Sequence, residues 1–151
     1  MMGGGQQQLQ QLSQELQAID EEIETLQSEI DDLQTEQAEI DDAVEAIDTL
    51  DTGSTVQVPL GGGAYIRAEI QDIDEIIVDL GGDFAAEQVA GDAVDALRTK
   101  QDALDDRIAS VREEVEELEE ESSELEQQAQ QMQQQMQQQQ MQQMQQQGDG
   151  E

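Results

Sequence analysis

Two long stretches of the chain repeat a mostly aliphatic residue at alternating spacings of three and four, which constrains the fold more than any other feature. The first stretch covers residues 9–47 and the second covers residues 94–136. This spacing is typical of the a and d positions of a coiled coil, which form one narrow apolar face on each helix. The sequence therefore predicts two long helices, over residues 6–51 and 91–140, with Asp92 as a candidate N-cap of the second.

The two repeats have matching lengths, so they can pair along their full extent as an antiparallel coiled-coil hairpin. In that register the numbers of facing positions sum to 141, which sets Ile47 beside Val94. The two apolar faces meet along a line that we call the seam. Arg98 flanks this seam, at a position where charged residues select partners. We expect Arg98 to approach Asp41 or Asp48 on the first helix.

Residues 55–88, which separate the two repeats, change to a period of two. Their alternating apolar residues and turn-forming glycines predict two tandem β-hairpins. The triple glycine at 61–63 is read as a turn, because no lysine follows it as a phosphate-binding P-loop requires. The predicted fold class is α+β and mostly α, a long antiparallel coiled-coil hairpin carrying both β-hairpins between its helices. The predicted strands cover residues 55–58, 64–70, 76–80 and 84–88.

Two hairpins attached to one coiled coil cannot close a hydrophobic core, and they leave strand edges open. The strands are therefore expected to bury themselves against other subunits, which makes residues 55–88 an oligomerisation body. The residues predicted for subunit assembly are the apolar residues of these strands: Val56, Val58, Leu60, Ile66, Ile70, Ile76, Val78 and Leu80.

The chain has 38 acidic and five basic residues, and its formal net charge is −33. Nucleic acids and anionic membranes attract basic residues, so neither is an expected partner. Such acidity is typical either of a disordered tail or of a folded protein adapted to molar salt, where the Debye length falls to ~3 Å. The regular aliphatic repeat favours the folded, salt-adapted protein.

Catalytic, cofactor-binding and metal-binding residues are not expected. The chain has no cysteine and no histidine, which removes thiol chemistry, imidazole bases and the usual zinc ligands. Asp72, Asp74 and Glu75 lie close together but lack the spacing of a calcium-binding EF-hand. We read them as part of a solvated acidic surface and predict that the protein is not an enzyme.

The location is expected to be cytoplasmic. No apolar run approaches the ~18 residues that a membrane span requires. The first eight residues contain neither the basic nor the apolar region of a signal peptide.

All six methionines lie near the chain ends, and residues 127–151 form a Gln/Met-rich tail. In an antiparallel hairpin both chain ends meet at one tip. Some of these residues can also be read as a simple continuation of the seam, but methionine suits surfaces that accept many partners. The predicted client-binding tip consists of Leu9, Leu12, Met132, Met136, Met141 and Met144.

The order helix, two hairpins, helix resembles the α class of prefoldin subunits over nearly the whole chain. Residues 56–70, VQVPLGGGAYIRAEI, are similar to the VPLG-G-AYV hairpin of that family. Residues 76–82, IIVDLGG, resemble its second hairpin. The following residues 83–86, DFAA, depart from the usual small-aromatic arrangement at the fourth strand.

The resemblance implies an archaeal prefoldin α subunit from a salt-adapted proteome. It implies a hexamer of two α and four β subunits, in which the hairpins join into β-barrels and the coiled coils project from them. It also implies ATP-independent holding of unfolded polypeptides at the tips and their transfer to a group II chaperonin.

Two other functions remain open from the residues alone. A structural or adaptor coiled coil would recruit defined partners and would have no general chaperone activity. An enzyme subunit with metal-dependent carboxylate chemistry would require a pocket and saturable divalent binding. Within the prefoldin family, a β subunit would carry a single hairpin, so the second hairpin favours the α class.

Overall fold

A computed structural model describes residues 3–148 of the chain, with side chains from residue 4 to residue 146. Met1, Met2 and residues 149–151 of the predicted tail lie outside the described residues. The predicted fold class is confirmed, because two long helices enclose two antiparallel hairpins in sequence. The elements are α1 (Gly3–Thr49), β1 (Thr55–Gly61), β2 (Ala64–Glu69), β3 (Ile76–Gly81), β4 (Phe84–Gln88) and α2 (Ala90–Gly148).

The chain forms two compact units. One contains residues 31–108, and the other contains the described residues up to Ile30 together with those from Ala109 onward. Both helices contribute residues to both units, so the predicted pairing of the helices can be examined within each unit separately.

Within residues 31–108, α1 and α2 lie side by side and run in opposite directions. Gln37 of α1 contacts Gln101 of α2, while Asp41, one turn later in α1, contacts Arg98, almost one turn earlier in α2. Ile40, Val44 and Ile108, three residues of the aliphatic repeat, are buried. These contacts agree with antiparallel pairing in the predicted register.

The unit at the chain ends follows the same register. A Cβ atom added at Gly5 would lie 3.3 Å from the Sδ atom of Met136, so the two helices approach closely at this level. The numbers of these two residues sum to 141, as the sequence predicted. Ile19, Val111 and Val115 are the buried aliphatic residues of this unit.

Each β-hairpin forms its own two-stranded antiparallel sheet. Val58 faces Ile66 in the first hairpin, and Val78 faces Ala86 in the second. Each strand pair shifts register beside its turn, where an extra residue forms a bulge. The two central turn residues have positive φ in both hairpins, as a type I′ turn requires. The two predicted hairpins, including the fourth strand, are thus confirmed.

The prediction that Asp92 caps the second helix is wrong. The backbone N–H of Ala93 donates to the carbonyl of Val89 at 2.9 Å, so Val89 occupies the cap position and α2 begins at Ala90. The carboxylate of Asp74, in the preceding loop, accepts from the N–H of Ala90 at 3.5 Å. Asp92 lies in the first turn instead, where a negative charge interacts favourably with the helix dipole.

The helix bounds differ from the predicted ones: α1 both begins and ends earlier, ending at Thr49, whereas α2 extends further. α1 begins at Gly3, three residues before the predicted start, and α2 continues to Gly148. Glutamine and methionine have high helix propensity, so the polar tail can remain helical beyond the end of the aliphatic repeat.

Candidate interaction surfaces

One face of the first hairpin is apolar. Val56 faces Ala68 across the strand pair, Val58 faces Ile66, and Leu60 follows beside the turn. Val56 and Ala68 are half-buried, whereas Val58 and Ile66 are exposed and Leu60 is 66 % exposed. The exposure of apolar side chains therefore increases toward the turn.

The corresponding face of the second hairpin is more deeply buried, although Leu80 beside its turn is 52 % exposed. Val78 is only 4 % exposed, and its partner Ala86 and its neighbour Ile76 are half-buried. Ile77, whose side chain points to the other face of the strand, is 69 % exposed. Val78 therefore contributes to the core of its own chain, and its side chain is inaccessible to another subunit in this structure.

The eight residues predicted for assembly thus differ in accessibility. Four are exposed, namely Val58, Leu60, Ile66 and Leu80. Three are half-buried, namely Val56, Ile70 and Ile76. The prediction also missed four exposed apolar residues in this region: Tyr65, Ile77, Phe84 and Val89.

A repeated sequence signal could have identified part of this missed surface. The tripeptide Leu-Gly-Gly occurs at 60–62 and again at 80–82, at the end of the first strand of each hairpin. An aromatic residue begins or nearly begins the returning strand, Tyr65 in one hairpin and Phe84 in the other. Each turn is therefore flanked by an exposed leucine and an exposed aromatic residue.

The six residues predicted for the tip separate into two groups. Leu9, Leu12, Met132 and Met136 are half-buried along the helix pair. They continue the apolar seam, and the close approach of Met136 to α1 explains its partial burial.

Met141 and Met144 form the second group. They are 71 % and 76 % exposed, and they lie three residues apart on one side of α2. In the register in which the numbers of facing positions sum to 141, residue 138 of α2 lies beside Gly3, the first described residue of α1. Met141 and Met144 therefore lie beyond the described part of α1. They border an open depression on α2 whose other lining residues are Gln134, Gln137, Gln138 and Gln140.

A polar layer interrupts the aliphatic seam at Gln37 and Gln101. The side-chain amide of Gln101 donates to the backbone carbonyl of Gln37 at 3.2 Å, and the amide of Gln37 donates to the carbonyl of Gln101 at 3.4 Å. Gln37 also donates to the carboxylate of Asp105. Facing positions whose numbers sum to 141 would set Gln37 against Leu104 and Gln101 against Ile40. The reciprocal bonding between the two glutamines was not predicted.

Asp41 joins this layer to the ion pair predicted for Arg98. Gln101 donates to Asp41 at 2.9 Å, and Arg98 donates to Asp41 at 2.8 Å and to the side-chain oxygen of Gln101 at 2.7 Å. The hydrogen bonds from Gln101 and then Arg98 hold the pKa of Asp41 below its ordinary value. Both members of the ion pair remain largely solvated, so its contribution to stability is small.

The clustered carboxylates of the loop have structural roles. Asp72 accepts from the N–H of Asp74 at 3.0 Å, forming a local turn, while Asp74 accepts from the start of α2. Within residues 3–148 no group of three or more carboxylate side chains is placed to hold a metal ion. None of the helices described here is long and apolar enough to cross a membrane.

Paired helices, exposed apolar hairpins and an exposed methionine pair are together features of proteins that present apolar surface to other polypeptide chains. Comparison with known proteins assigns the family within this class. Residues 19–147 match the prefoldin subunit family, which covers most of the chain.

Curated relatives named prefoldin subunit alpha occur in several archaea, most of them halophilic. The protein of Halorubrum lacusprofundi is 77 % identical over 113 residues, which cover 75 % of this chain and 74 % of the relative. That of Haloquadratum walsbyi is 78 % identical over 106 residues, covering 70 % and 69 % of the two chains. That of Halobacterium salinarum is 68 % identical over 109 residues, covering 72 % and 71 %.

A solved structure supports the same fold. A chain of the filamentous PFD from Methanocaldococcus jannaschii superposes with a TM-score of 0.65 and 23 % identity, over 74 % of this chain and 95 % of that one. Because the family match covers most of the chain and these relatives are 68–78 % identical, the chain belongs to the prefoldin family. Prefoldin subunits are chaperones, so this protein is a chaperone-type subunit and not an enzyme.

Proposed function

We propose that this chain is the α subunit of a hetero-hexameric prefoldin containing two α and four β subunits. It holds non-native polypeptides without ATP and passes them to a group II chaperonin in the cytoplasm. The observation that carries this proposal is the exposure of Met141 and Met144, two large apolar side chains on a helix segment otherwise composed of glutamine. Membership of the prefoldin family supports the chaperone role.

Holding requires apolar surface that can adapt to many sequences. An unfolded polypeptide exposes apolar groups, and burying them contributes roughly 25 cal/mol per Å². Methionine is flexible and polarizable, so it packs against irregular surfaces. Each contact is weak, but several subunits that engage one polypeptide raise the effective concentration of the remaining contacts. The half-buried members of the predicted tip support this contact by joining the two helices.

We assign residues 55–88 to subunit assembly. Leu60, Ile66 and Leu80 supply exposed apolar side chains on hairpins whose strand edges are unpaired within the described chain. Exposed strand edges of this kind promote uncontrolled pairing unless another chain covers them. Partner β subunits with complementary hairpins would cover both the edges and the apolar faces.

We also propose that the complex operates in concentrated salt. A net charge of −33 on 151 residues produces strong self-repulsion in dilute buffer. Molar salt shortens the range of that repulsion to a few Å. The halophilic sources of most relatives support this environment.

The holding proposal is tested by replacing both exposed methionines with glutamine. We expect M141Q/M144Q to reduce suppression of aggregation of a denatured client several-fold, because apolar contact is lost while the helix propensity is preserved. The measurement is light scattering with the complex purified from cells in molar KCl. The matched control is Q139A/Q143A, which removes two polar side chains from the same segment.

Deleting residues 127–151 should weaken holding further while the assembly remains intact. Unchanged holding by both M141Q/M144Q and this truncation would refute the assignment of client binding to the tail.

The assembly proposal is tested by isolating the tagged chain from its own cells in molar KCl. We expect one small coiled-coil partner at about two copies per copy of this chain, the ratio of the proposed hexamer. L60S/I66S should lose that partner, because it removes exposed apolar side chains without disturbing a core. Q57S, on the other face of the same hairpin, is the control.

Recovery of the chain alone, or with one unrelated large protein, would exclude the hexamer. That outcome would favour a structural or adaptor coiled coil without general chaperone activity.

A further inference from the structure

Charged residues stop at matched positions on the two helices. Residues 3–14 and 127–148 contain no Asp, Glu, Lys or Arg, although 28 % of the whole chain is charged. Asp149 follows the second of these charge-free segments in the sequence. At their other ends, the residues that border the two segments are Glu15 on α1 and Glu126 on α2. Their numbers sum to 141, so they lie at the same level of the helix pair. The two helices thus become neutral together.

The neighbouring part of the same unit is strongly acidic. Residues 113–126 contain nine glutamates among 14 residues, and Arg112 is the one basic residue between 109 and 148. Residues 15–30 add six more acidic side chains. On α2 the dense negative charge ends at Glu126. On α1 the acidic residues are sparser near the border, because Asp20 is the next acidic residue after Glu15.

The charge-free segments form a continuous structural element. Leu9, Leu12 and Met132 are half-buried within them, and Gly5 lies against Met136. The exposed methionines of α2 belong to these segments and are surrounded by glutamine amides. Amides are polar enough to keep the helix surface hydrated. Because they carry no net charge, they do not repel an approaching acidic chain as carboxylates would.

We propose that the charge-free segments allow the protein to hold non-native polypeptides of strongly acidic composition. This inference rests on the proposed holding function and names the class of polypeptide that the tail accepts. If carboxylates surrounded the methionines, they would lie close to the carboxylates of a bound acidic client. Molar salt screens charge over ~3 Å, so at contact distance it weakens this repulsion without removing it. A neutral contact surface avoids this repulsion, while the acidic segments next to it keep the loaded protein soluble. A polypeptide of the composition of this chain itself exemplifies such a client.

The test introduces charge beside the exposed methionines. Q134E/Q137E/Q138E adds three carboxylates to the glutamines that border Met141 and Met144, all of which are exposed. The control Q17E/Q27E/Q34E adds the same charge at exposed glutamines outside the charge-free segments. Q134K/Q137K/Q138K adds the opposite charge at the test positions. Circular dichroism establishes that each variant retains the helix content of the unmodified protein.

The probes are negatively and positively supercharged forms of one fluorescent protein, denatured in urea and diluted into the purified complex in molar KCl. We expect the unmodified complex to hold both forms. Q134E/Q137E/Q138E should hold the acidic form roughly fivefold less well and the basic form no worse, since only the former is repelled. The lysine variant should show the reverse preference, and the control should change by less than twofold.

The proposal is overturned if the glutamate variant holds both forms as well as the unmodified complex does, or loses both equally. It is also overturned if the control loses the acidic form to the same extent. If the unmodified complex holds neither form, the holding function itself fails. That result is distinct from a loss of charge discrimination alone.

Discussion

At the scale of single residues, Asp83 occupies a position that normally requires glycine. Its φ is 67°, and among the described residues it is the only non-glycine residue with a positive φ. Gly63 occupies the equivalent turn position of the first hairpin, with a φ of 83°. Aspartate tolerates the left-handed conformation better than most residues, because its short side chain can form local hydrogen bonds.

Replacement of Asp83 by alanine and by glycine should therefore affect the stability of the second hairpin differently. D83A is expected to destabilise the second hairpin by about 1 kcal/mol, since a Cβ in this conformation clashes without any compensating polar contact. D83G should be neutral or slightly stabilising. Hydrogen exchange of the amides of β3 and β4 measures both effects. Equal protection in D83A and D83G would contradict this account of the turn.

Asp41 is the other residue whose local environment leads to a prediction. Hydrogen bonds from Gln101 and Arg98 lower its pKa in the folded protein. A lowered folded-state pKa means that the contribution of Asp41 to stability is present above its unfolded-state pKa and is lost as the pH falls through the folded-state pKa. We expect the carboxyl carbon resonance of Asp41 to report a pKa lower than that of an unperturbed aspartate.

A matched variant isolates this contribution from the titration of the many other carboxylates. D41N should melt slightly lower than the unmodified protein at neutral pH, and the difference should disappear in strong acid. Asp42, the neighbouring exposed carboxylate, supplies the control variant D42N. A difference between D41N and the unmodified protein that persists unchanged in strong acid would contradict the assignment.

At the scale of elements, the Gln37–Gln101 layer is a polar interruption of an otherwise apolar seam. Polar layers within a coiled-coil seam commonly select one register at a cost in stability. We expect Q37L/Q101L to raise the free energy of unfolding by about 1–2 kcal/mol, because apolar surface replaces amides in the seam. We also expect it to weaken the preference for the observed register.

Engineered cysteines can measure that register, because the chain has none of its own. In the register in which the numbers of facing positions sum to 141, Ile23 faces Leu118, whereas a one-heptad slip would bring Ile23 to Val111. Cysteines at the first pair should form a disulfide in both backgrounds, and cysteines at the second pair only in Q37L/Q101L. S122L, which fills another polar seam position, is the control. If only the cysteine pair at positions 23 and 118 forms a disulfide in Q37L/Q101L, the glutamine layer does not select the register. The apolar residues and the hairpins would then determine it alone.

At the scale of the whole molecule, charge is distributed unevenly along the helices. The four basic residues Arg98, Lys100, Arg107 and Arg112 all occur in the first 23 residues of α2. Farther along the pair the register brings acidic residues together, as at Glu22 and Glu121. Repulsion between such residues is screened only when salt is abundant.

Removing salt should therefore loosen the helix pair over residues 15–30 and 113–126 before it affects the two hairpins. Hydrogen exchange in molar KCl and in dilute buffer measures this order. We expect early exchange in those helix segments and retained protection in β1–β4. Circular dichroism and exchange that are identical in both solutions would contradict it.

The sequence by itself determined the parts of this protein that depend on local periodicity. The spacing of three and four predicted both helices and their register, and the period of two with its glycine turns predicted four strands. These patterns are reliable because a helix or strand must place its apolar residues on one face before it can pack at all. The exposed pair Met141 and Met144 could also be identified, since both follow the end of the matched repeat.

Only the tertiary structure decided what each apolar face packs against. Val58 and Val78 have the same place in similar strands, yet Val58 is 40 % exposed and Val78 only 4 %. The reciprocal bonding of Gln37 with Gln101, and the capping of α2 from Asp74, join residues far apart in sequence. Burial and hydrogen bonding of this kind depend on which segments meet in space, and a local pattern carries no information about that.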